Sequence, residues 1–451
     1  MVQDQTKYNL LYITSLPPTH SAGLVQAKID ALMSRGHNVD CMTIYDYDGK
    51  KDNIITLLPK PEQLQPSMLR RLVILPIKRI VCFVGIYKLL KMIKDWGMER
   101  LTGAGKKKSD ILFLYPDEEN PPIQPELITS NIHKQYDAVI TGFWEGMLNT
   151  TSLKAIYDKI GCPIIIGSPD MAPMTGGCYY FGKCRNFYKE CGCCEALGSK
   201  APNDRSHHNY MIKKKNYSSI DCAFIGNTWM NEFAKKSKLF KNVFLSEVMI
   251  DENRFCEGDR FSARLDLGLT GEFVIMIASS SQPRKGNLDI AEAVLEFYSI
   301  LPAEEQNSIE ILIVGDDYIE NIFEQSKINR CNQGRVDMDK LVLCYQASDI
   351  FISASNDDAG PSMINQAIMC GTPVVCYDNG TAIDVIENMA SGYKVKPGDK
   401  KGLAKGIEAI YNLTHKKYSE LRGSCREIAV RHNSTDVCIR NLLSIISKMR
   451  N

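Results

Sequence analysis

The 451-residue chain has no charge imbalance to speak of: Lys plus Arg number 54, Asp plus Glu 53, and the formal net charge at pH 7 is +1. Nucleic acid, which selects a surplus of cationic side chains, is therefore not an expected partner. An uncharged apolar run of bilayer length, about 20 residues, is also missing. The opening "MVQDQTKYNLLYITS" has neither a basic n-region nor a cleavable apolar core, so a cytoplasmic location is expected. In that setting the 16 cysteines read as thiols or metal ligands rather than as a disulfide framework. What is present, 44% hydrophobic and 24% charged residues, is the composition of a soluble globular protein. The length is too great for one core and suits two domains with a cleft between them.

Short apolar runs alternate with helical stretches throughout. The runs at 9–15, 38–44, 110–116, 137–143, 163–169 and 222–227 form one set, and those at 273–279, 309–315, 349–355, 373–378 and 392–397 a second. They are continuously apolar rather than alternating, which fits parallel strands covered on both faces. The expected fold class is α/β, with two Rossmann-like doubly wound domains facing across a cleft. The polar, glycine-bearing stretch 248–272 separates the sets and places the domains at 1–250 and 251–430. A final helix over 431–451 is expected to pack back on the first domain.

"DDAGPSMINQAIMCGTPVV", residues 357–375, joins an acidic loop to a short helix and then to a buried strand. Pro361 suits a first helical turn and Gly371 a C-terminal exit. The stretch serves as a plain strand-to-strand crossover or as an anion site, because the free N–H groups of Ser362 and Met363 and the small residues Ala359 and Gly360 allow close approach of negative charge. Arg284 and Lys285, after a strand and before Gly286, are either a solvated turn pair or fixed positive charge for the same anion. On the first domain, "PPTHSAG" (17–23) follows the first strand, where ligands approach open α/β sheets. Gly23 permits close approach there, and His20 is a surface residue or an acceptor contact.

These pieces together resemble family 4 glycosyltransferases of the GT-B fold. The likeness rests on "RKG" (284–286), "YQASDIFISAS" (345–355), the acidic loop with "CGTPVV", "DNGTAIDVI" (378–386), "SGYKVKPGD" (391–399) and Ile250, Asp251 and Phe255. "SPDMAPMTGGCYYFGKCRNFYKECGCC" (168–194) is similar to a stretch of capsule and exopolysaccharide members. The resemblance implies transfer of a sugar from a nucleotide diphosphate donor to an acceptor hydroxyl, with retention at the anomeric carbon and no cofactor required for catalysis. It places the family's two glutamates at Asp358, which would contact the donor sugar, and at Gln366, which would hold ribose as a neutral amide. Arg284, Lys285, Gly360, Ser362 and Met363 would bind the donor. The family's usual arginine position holds Ser280, and its acceptor-domain histidine corresponds to Pro169, which leaves Asp170 as the remaining catalytic candidate beside Asp358.

Five cysteines fall between 178 and 194. Cys191 and Cys194 have the spacing of a zinc knuckle, and with Cys178 and Cys184 they make a candidate structural zinc site. Free thiols or a pair of disulfides are the competing readings. Residues 68–101, inside a basic stretch over about 60–108, carry eight Lys or Arg and two acids. Such a segment either docks on the anionic inner membrane face or covers the first domain with a solvated basic edge. A lipid-linked glycan acceptor, an inference from the resemblance, would suit membrane docking. The competing function is a catalytically silent glycan-binding or scaffolding protein. An epimerase stands behind it, and a phosphorylase would need a pyridoxal lysine setting that the sequence does not offer.

Overall fold

The computed structural model describes residues 6–19, 24–46, 51–58, 112–113 and 117–450. The first half contributes β1 (Asn9–Ile13), β2 (Asn38–Tyr45), β3 (Ile54–Leu58), β4 (Leu112–Phe113), β5 (Ala138–Thr141), β6 (Ile164–Gly167), β7 (Cys178–Tyr180), β8 (Cys222–Gly226) and β9 (Asn242–Leu245). Seven of these form one sheet in the order β3-β2-β1-β5-β6-β8-β9. The second half contributes β10 (Phe273–Ser279), β11 (Ile309–Gly315), β12 (Asn329–Asn332), β13 (Ile350–Ser353), β14 (Val374–Tyr377) and β15 (Gly392–Val395), in the order β12-β11-β10-β13-β14-β15. Every pairing within both sheets is parallel. The two doubly wound α/β lobes are those expected from the alternation of buried runs and helices. Each sheet starts centrally and winds outward both ways, so it reverses direction once, between β1 and β5 and between β10 and β13. A crevice opens at the carboxyl ends of strands flanking such a reversal.

One expected strand sits elsewhere. The run at 110–116 is represented by Leu112–Phe113, which pairs antiparallel with β7 in a separate two-stranded ribbon. The reason lies in the register: Leu10–Ile13 pair directly with Ala138–Thr141, so no central place remains for it. Three strands outside the expected set, β3, β9 and β12, lie at sheet edges. Their side chains are mostly half-exposed or exposed: "NRCN" of β12 lacks the apolar run that marks a buried strand, "NVFL" of β9 has only three apolar residues, and "IITLL" of β3 is apolar but buries only Leu57.

Each lobe has its own core. Val274, Ile275, Ile311, Leu312, Ile352 and Val375 are fully or almost fully buried in the second, and such side chains each contribute about 1.5–3 kcal/mol on leaving water. The helix Arg260–Leu267 is bound to that lobe by Arg260, whose guanidinium lies 2.5 Å from Asp349, while Asp349 also accepts the Val274 N–H at 2.6 Å. Arg264 pairs with the same carboxylate. The helix His415–Asn433 buries Leu421, Cys425, Ile428 and Ala429 against the second lobe. The last helix, Thr435–Arg450, instead buries Cys438, Ile439, Leu442, Ile445 and Ile446 with Leu10, Tyr12 and Ile29 of the first. The chain thus crosses between lobes twice. Among the described residues no helix is long and apolar enough to cross a membrane. The basic stretch 60–108, with His20 and Gly23, lies outside the described residues.

Candidate functional site

A cavity of about 430 Å³ opens at the carboxyl ends of β10, β11 and β13, beside the reversal point of the second sheet. Its wall includes Ser280, Lys285, Gly315, Arg335, Val336 and Met363. The loop after β10 is braced by Asn287, whose Oδ1 accepts the Ser280 N–H at 2.5 Å while its Nδ2 donates to the Ala278 carbonyl at 3.1 Å. A 3-10 turn, Pro283–Lys285, then presents two cations and ends at Gly286.

Gly286 has φ +68°, and a Cβ there would stand 2.0 Å from the Ala354 carbonyl oxygen. The turn therefore fits against the exit of β13 because the side chain is absent. Gly286→Ala is expected to cost at least about 2 kcal/mol, seen as a lower thermal midpoint. Gly398→Ala is the control, since its φ is +86° but a Cβ would meet nothing within 4 Å. It should lose less stability.

The two cations converge on one carboxylate. Asp358 Oδ2 lies 3.1 Å from an Arg284 nitrogen and 2.5 Å from Lys285 Nζ, and its side chain is 8% exposed. Asp358 Oδ1 also accepts the Gly360 N–H at 3.3 Å. Immediately after comes the helix Ser362–Met369, which begins at Pro361 with no side chain capping its N-terminus. Of the expected donor residues, Arg284, Lys285, Asp358 and Gly360 are thus brought together, Met363 and Lys285 stand on the cavity wall, and Ser362 opens the helix. Gln366 lies one turn beyond Met363 in the same helix. It is 2% exposed, and its Oε1 accepts the Tyr345 hydroxyl at 3.1 Å.

The first lobe closes over the acidic loop. Asp357 Oδ2 accepts the Gly182 N–H at 2.7 Å, and Asn227 donates to the Ala359 carbonyl at 2.7 Å. Ala359 is buried within the first lobe's core, and the Thr228 N–H donates to Asp384 at 3.0 Å. The Arg284 guanidinium lies 4.0 Å above the ring of Tyr180. Burial pushes the Asp357 carboxyl up, opposed by the Gly182 N–H and by Arg284 and Arg185. Asp170 is fully buried in the first lobe, where its Oδ1 accepts the Ala172 N–H at 2.7 Å at the start of a 3-10 turn.

Cys178, Cys184, Cys191 and Cys194 line one small cavity of about 20 Å³. The Gly176 N–H points to Cys191 Sγ at 3.3 Å and the Asn186 N–H to Cys184 Sγ at 3.5 Å. Burial pushes Cys191 up to about 12 and Cys178 higher, so both are thiols in this setting. The sulfurs are gathered, but among the described residues no group of three or more His, Cys, Asp or Glu is arranged to hold a metal ion. The four cysteines expected from the spacing as a zinc ligand set thus share one cavity wall.

Sequence reasoning passed over Tyr180, Gly182, Asn227, Asp357, Arg335 and Val336. Glycine closing the run "IEILIVG" and the "QGRV" turn were the available signals for the last two; nothing in the sequence ties 180 or 227 to the acidic loop.

Two parallel α/β lobes, with a cavity lined in part by Lys285 and Arg335 in the second and contacts across the cleft, define the GT-B architecture. Residues 266–429, which span most of the second lobe, match the family model described as Glycosyl transferases group 1. The chain is similar over its full length in fold to the sucrose-phosphate synthase of Thermosynechococcus elongatus, with a TM-score of 0.61 at 15% identity, covering 98% of this chain and 99% of that one. It is similarly close to the Anabaena protein HepE, solved with UDP and glucose, with a TM-score of 0.60 at 14% identity over 98% of this chain and 100% of that one. A D-inositol 3-phosphate glycosyltransferase of Catenulispora acidiphila is 24% identical over 179 residues, 37% of this chain. That match spans 42% of the relative, less than half its length.

Proposed function

We propose that the protein is a retaining glycosyltransferase that moves a sugar from a nucleoside diphosphate to a glycan acceptor, lipid-linked and at the inner membrane face, in polysaccharide assembly. The observation that carries this reading is the convergence of Arg284 and Lys285 on one anionic group beside the cavity and an uncapped helix start. A diphosphate leaving group gains negative charge as the glycosidic bond breaks, and fixed cations with helix N–H groups stabilise it without reorganisation. The nucleoside enters along Gly315, Arg335 and Val336, and the β-phosphate displaces Asp358 from the two cations. Freed from them, the Asp358 carboxylate meets a hydroxyl of the donor sugar. UDP, which accompanies HepE, is the first probe to try.

The competing reading, a silent glycan-binding protein, draws on the same contact, because Asp358 already neutralises the cations. A panel of nucleoside diphosphate sugars, followed for nucleoside diphosphate release with and without glycan acceptors, decides between them. Turnover of one donor is the expected result. Binding of a nucleoside diphosphate with no donor consumed across the panel would leave the silent reading standing.

A further inference from the structure

Resting on that donor reading, we propose that Tyr180 of the first lobe is a positioning residue for the diphosphate charge, so that the cationic site in the second lobe is completed only when the lobes meet. Tyr180 ends β7 and is 5% exposed. Its ring carries the Arg284 guanidinium at 4.0 Å. A guanidinium offers a face for stacking and an edge of N–H donors, and the two uses are compatible. Here the face rests near Tyr180 while an edge nitrogen reaches Asp358 at 3.1 Å. Stacking thus fixes the direction in which Arg284 donates, toward the place where the phosphate replaces Asp358.

The ring is itself held in place. Tyr179 packs edge-on against it, with centroids 4.6 Å apart and planes at 84°, and Phe143 packs edge-on against Tyr179 at 6.2 Å. Two residues beyond Tyr180, the Gly182 N–H holds Asp357, so the same loop grips both the cation and the acidic segment. A side chain that merely filled space in the first lobe would have no reason to meet the one arginine of the 3-10 turn. Lys285, a point charge without a planar face, lacks this support and binds the anion from the cavity wall.

The experiment is calorimetric titration of the full chain with UDP, GDP and ADP, then with the monophosphate of the base that binds best. The quantity read is the ratio of diphosphate to monophosphate affinity. Tyr180→Leu should reduce that ratio about tenfold, and Tyr180→Phe, which keeps the ring, should leave it within about twofold. Arg284→Lys should reduce it as Tyr180→Leu does, and the double variant should lose little more, because both changes remove one interaction. Equal loss of diphosphate and monophosphate affinity in Tyr180→Leu, or additive effects in the double variant, would overturn the proposal. If the wild-type chain binds none of the three diphosphates, the donor reading itself fails and this inference with it. Tight wild-type binding with an unchanged ratio in Tyr180→Leu removes the positioning role alone.

Discussion

Replacing Lys285 by alanine should raise the dissociation constant for a nucleoside diphosphate by about 10- to 100-fold and leave that of the bare nucleoside unchanged. The magnitude is that of a charge-assisted hydrogen bond, about 1.5–3 kcal/mol, removed from a site where the ammonium is 30% exposed and 2.5 Å from its partner. The nucleoside control matters because Lys285 shares the cavity wall with Arg335 and Val336. The salt dependence of diphosphate binding should also flatten in the variant, since one of the two cations that create it is gone. Calorimetry at two ionic strengths checks both statements. Equal losses for nucleoside and diphosphate would mean that the substitution has disturbed the cavity rather than the charge.

The same geometry predicts opposite behaviour for the carboxylate. Asp358 is 8% exposed and shared between two cations, so under the proposed donor reading an incoming phosphate has to displace it. Breaking a partly buried pair from one side leaves uncompensated charge, which is why Lys285→Ala and Asp358→Asn are not equivalent. The asparagine variant frees two cations and should bind a nucleoside diphosphate more tightly while losing transfer. Coupling between the lobes follows from how the acidic loop is held: Gly182 grips Asp357 and Asn227 grips Ala359, so movement of Asp358 strains contacts made by the first lobe. Under the same reading, donor arrival and lobe geometry are linked through that short segment.

How much of this is legible in the sequence depends on whether a feature is local. The central strands are, since "FVIMIAS" and "IEILIVG" need burial on both faces and yield β10 and β11 over the expected residues. The Arg284-Lys285 turn and the acidic loop are also legible, because a strand exit, a glycine and a charged pair form a local pattern. Edge strands such as β12 are not, as hydrogen bonding to one neighbour asks for no apolar run. The hydrogen bond from the Tyr345 hydroxyl to the Gln366 carbonyl, 21 positions away, is likewise not legible, because no local pattern joins the two. The cross-lobe stack of Tyr180 on Arg284 joins positions more than a hundred residues apart, and no periodicity links them. Cysteine spacing predicted proximity of four sulfurs, which line one cavity; it carried no information on whether their geometry suits an ion.

Glu247 should contribute a loss of stability as pH rises from about 5 to about 8, opposed in the lower part of that range by His37 and His432, whose burial lowers their pKa values, and Glu247→Met should remove that contribution. Glu247 follows β9 in the segment joining the lobes, and both of its carboxyl oxygens are buried without a hydrogen-bond partner. Burial, reinforced by the nearby Asp384 charge, raises its pKa from 4.5 to about 8. The unfolded chain gives up this proton near its ordinary value, whereas the folded chain keeps it. Between the two values the folded state therefore binds more protons, so rising pH favours unfolding, by at most about 1.4 kcal/mol per pH unit. Above about 8 the loss is complete, and in total it amounts to a few kcal/mol. Methionine has a similar length, no charge and no unsatisfied oxygen, so the variant should be more stable than wild type at pH 8 by several degrees in thermal midpoint and closer to it at pH 5. Ionisation also sets a second negative charge near Asp384, which accepts the Thr228 N–H across the cleft, so the contact between lobes should loosen over the same pH range. Thermal midpoints of both proteins measured from pH 5 to pH 8.5 test the assignment, and parallel curves would remove Glu247 as the source of the slope.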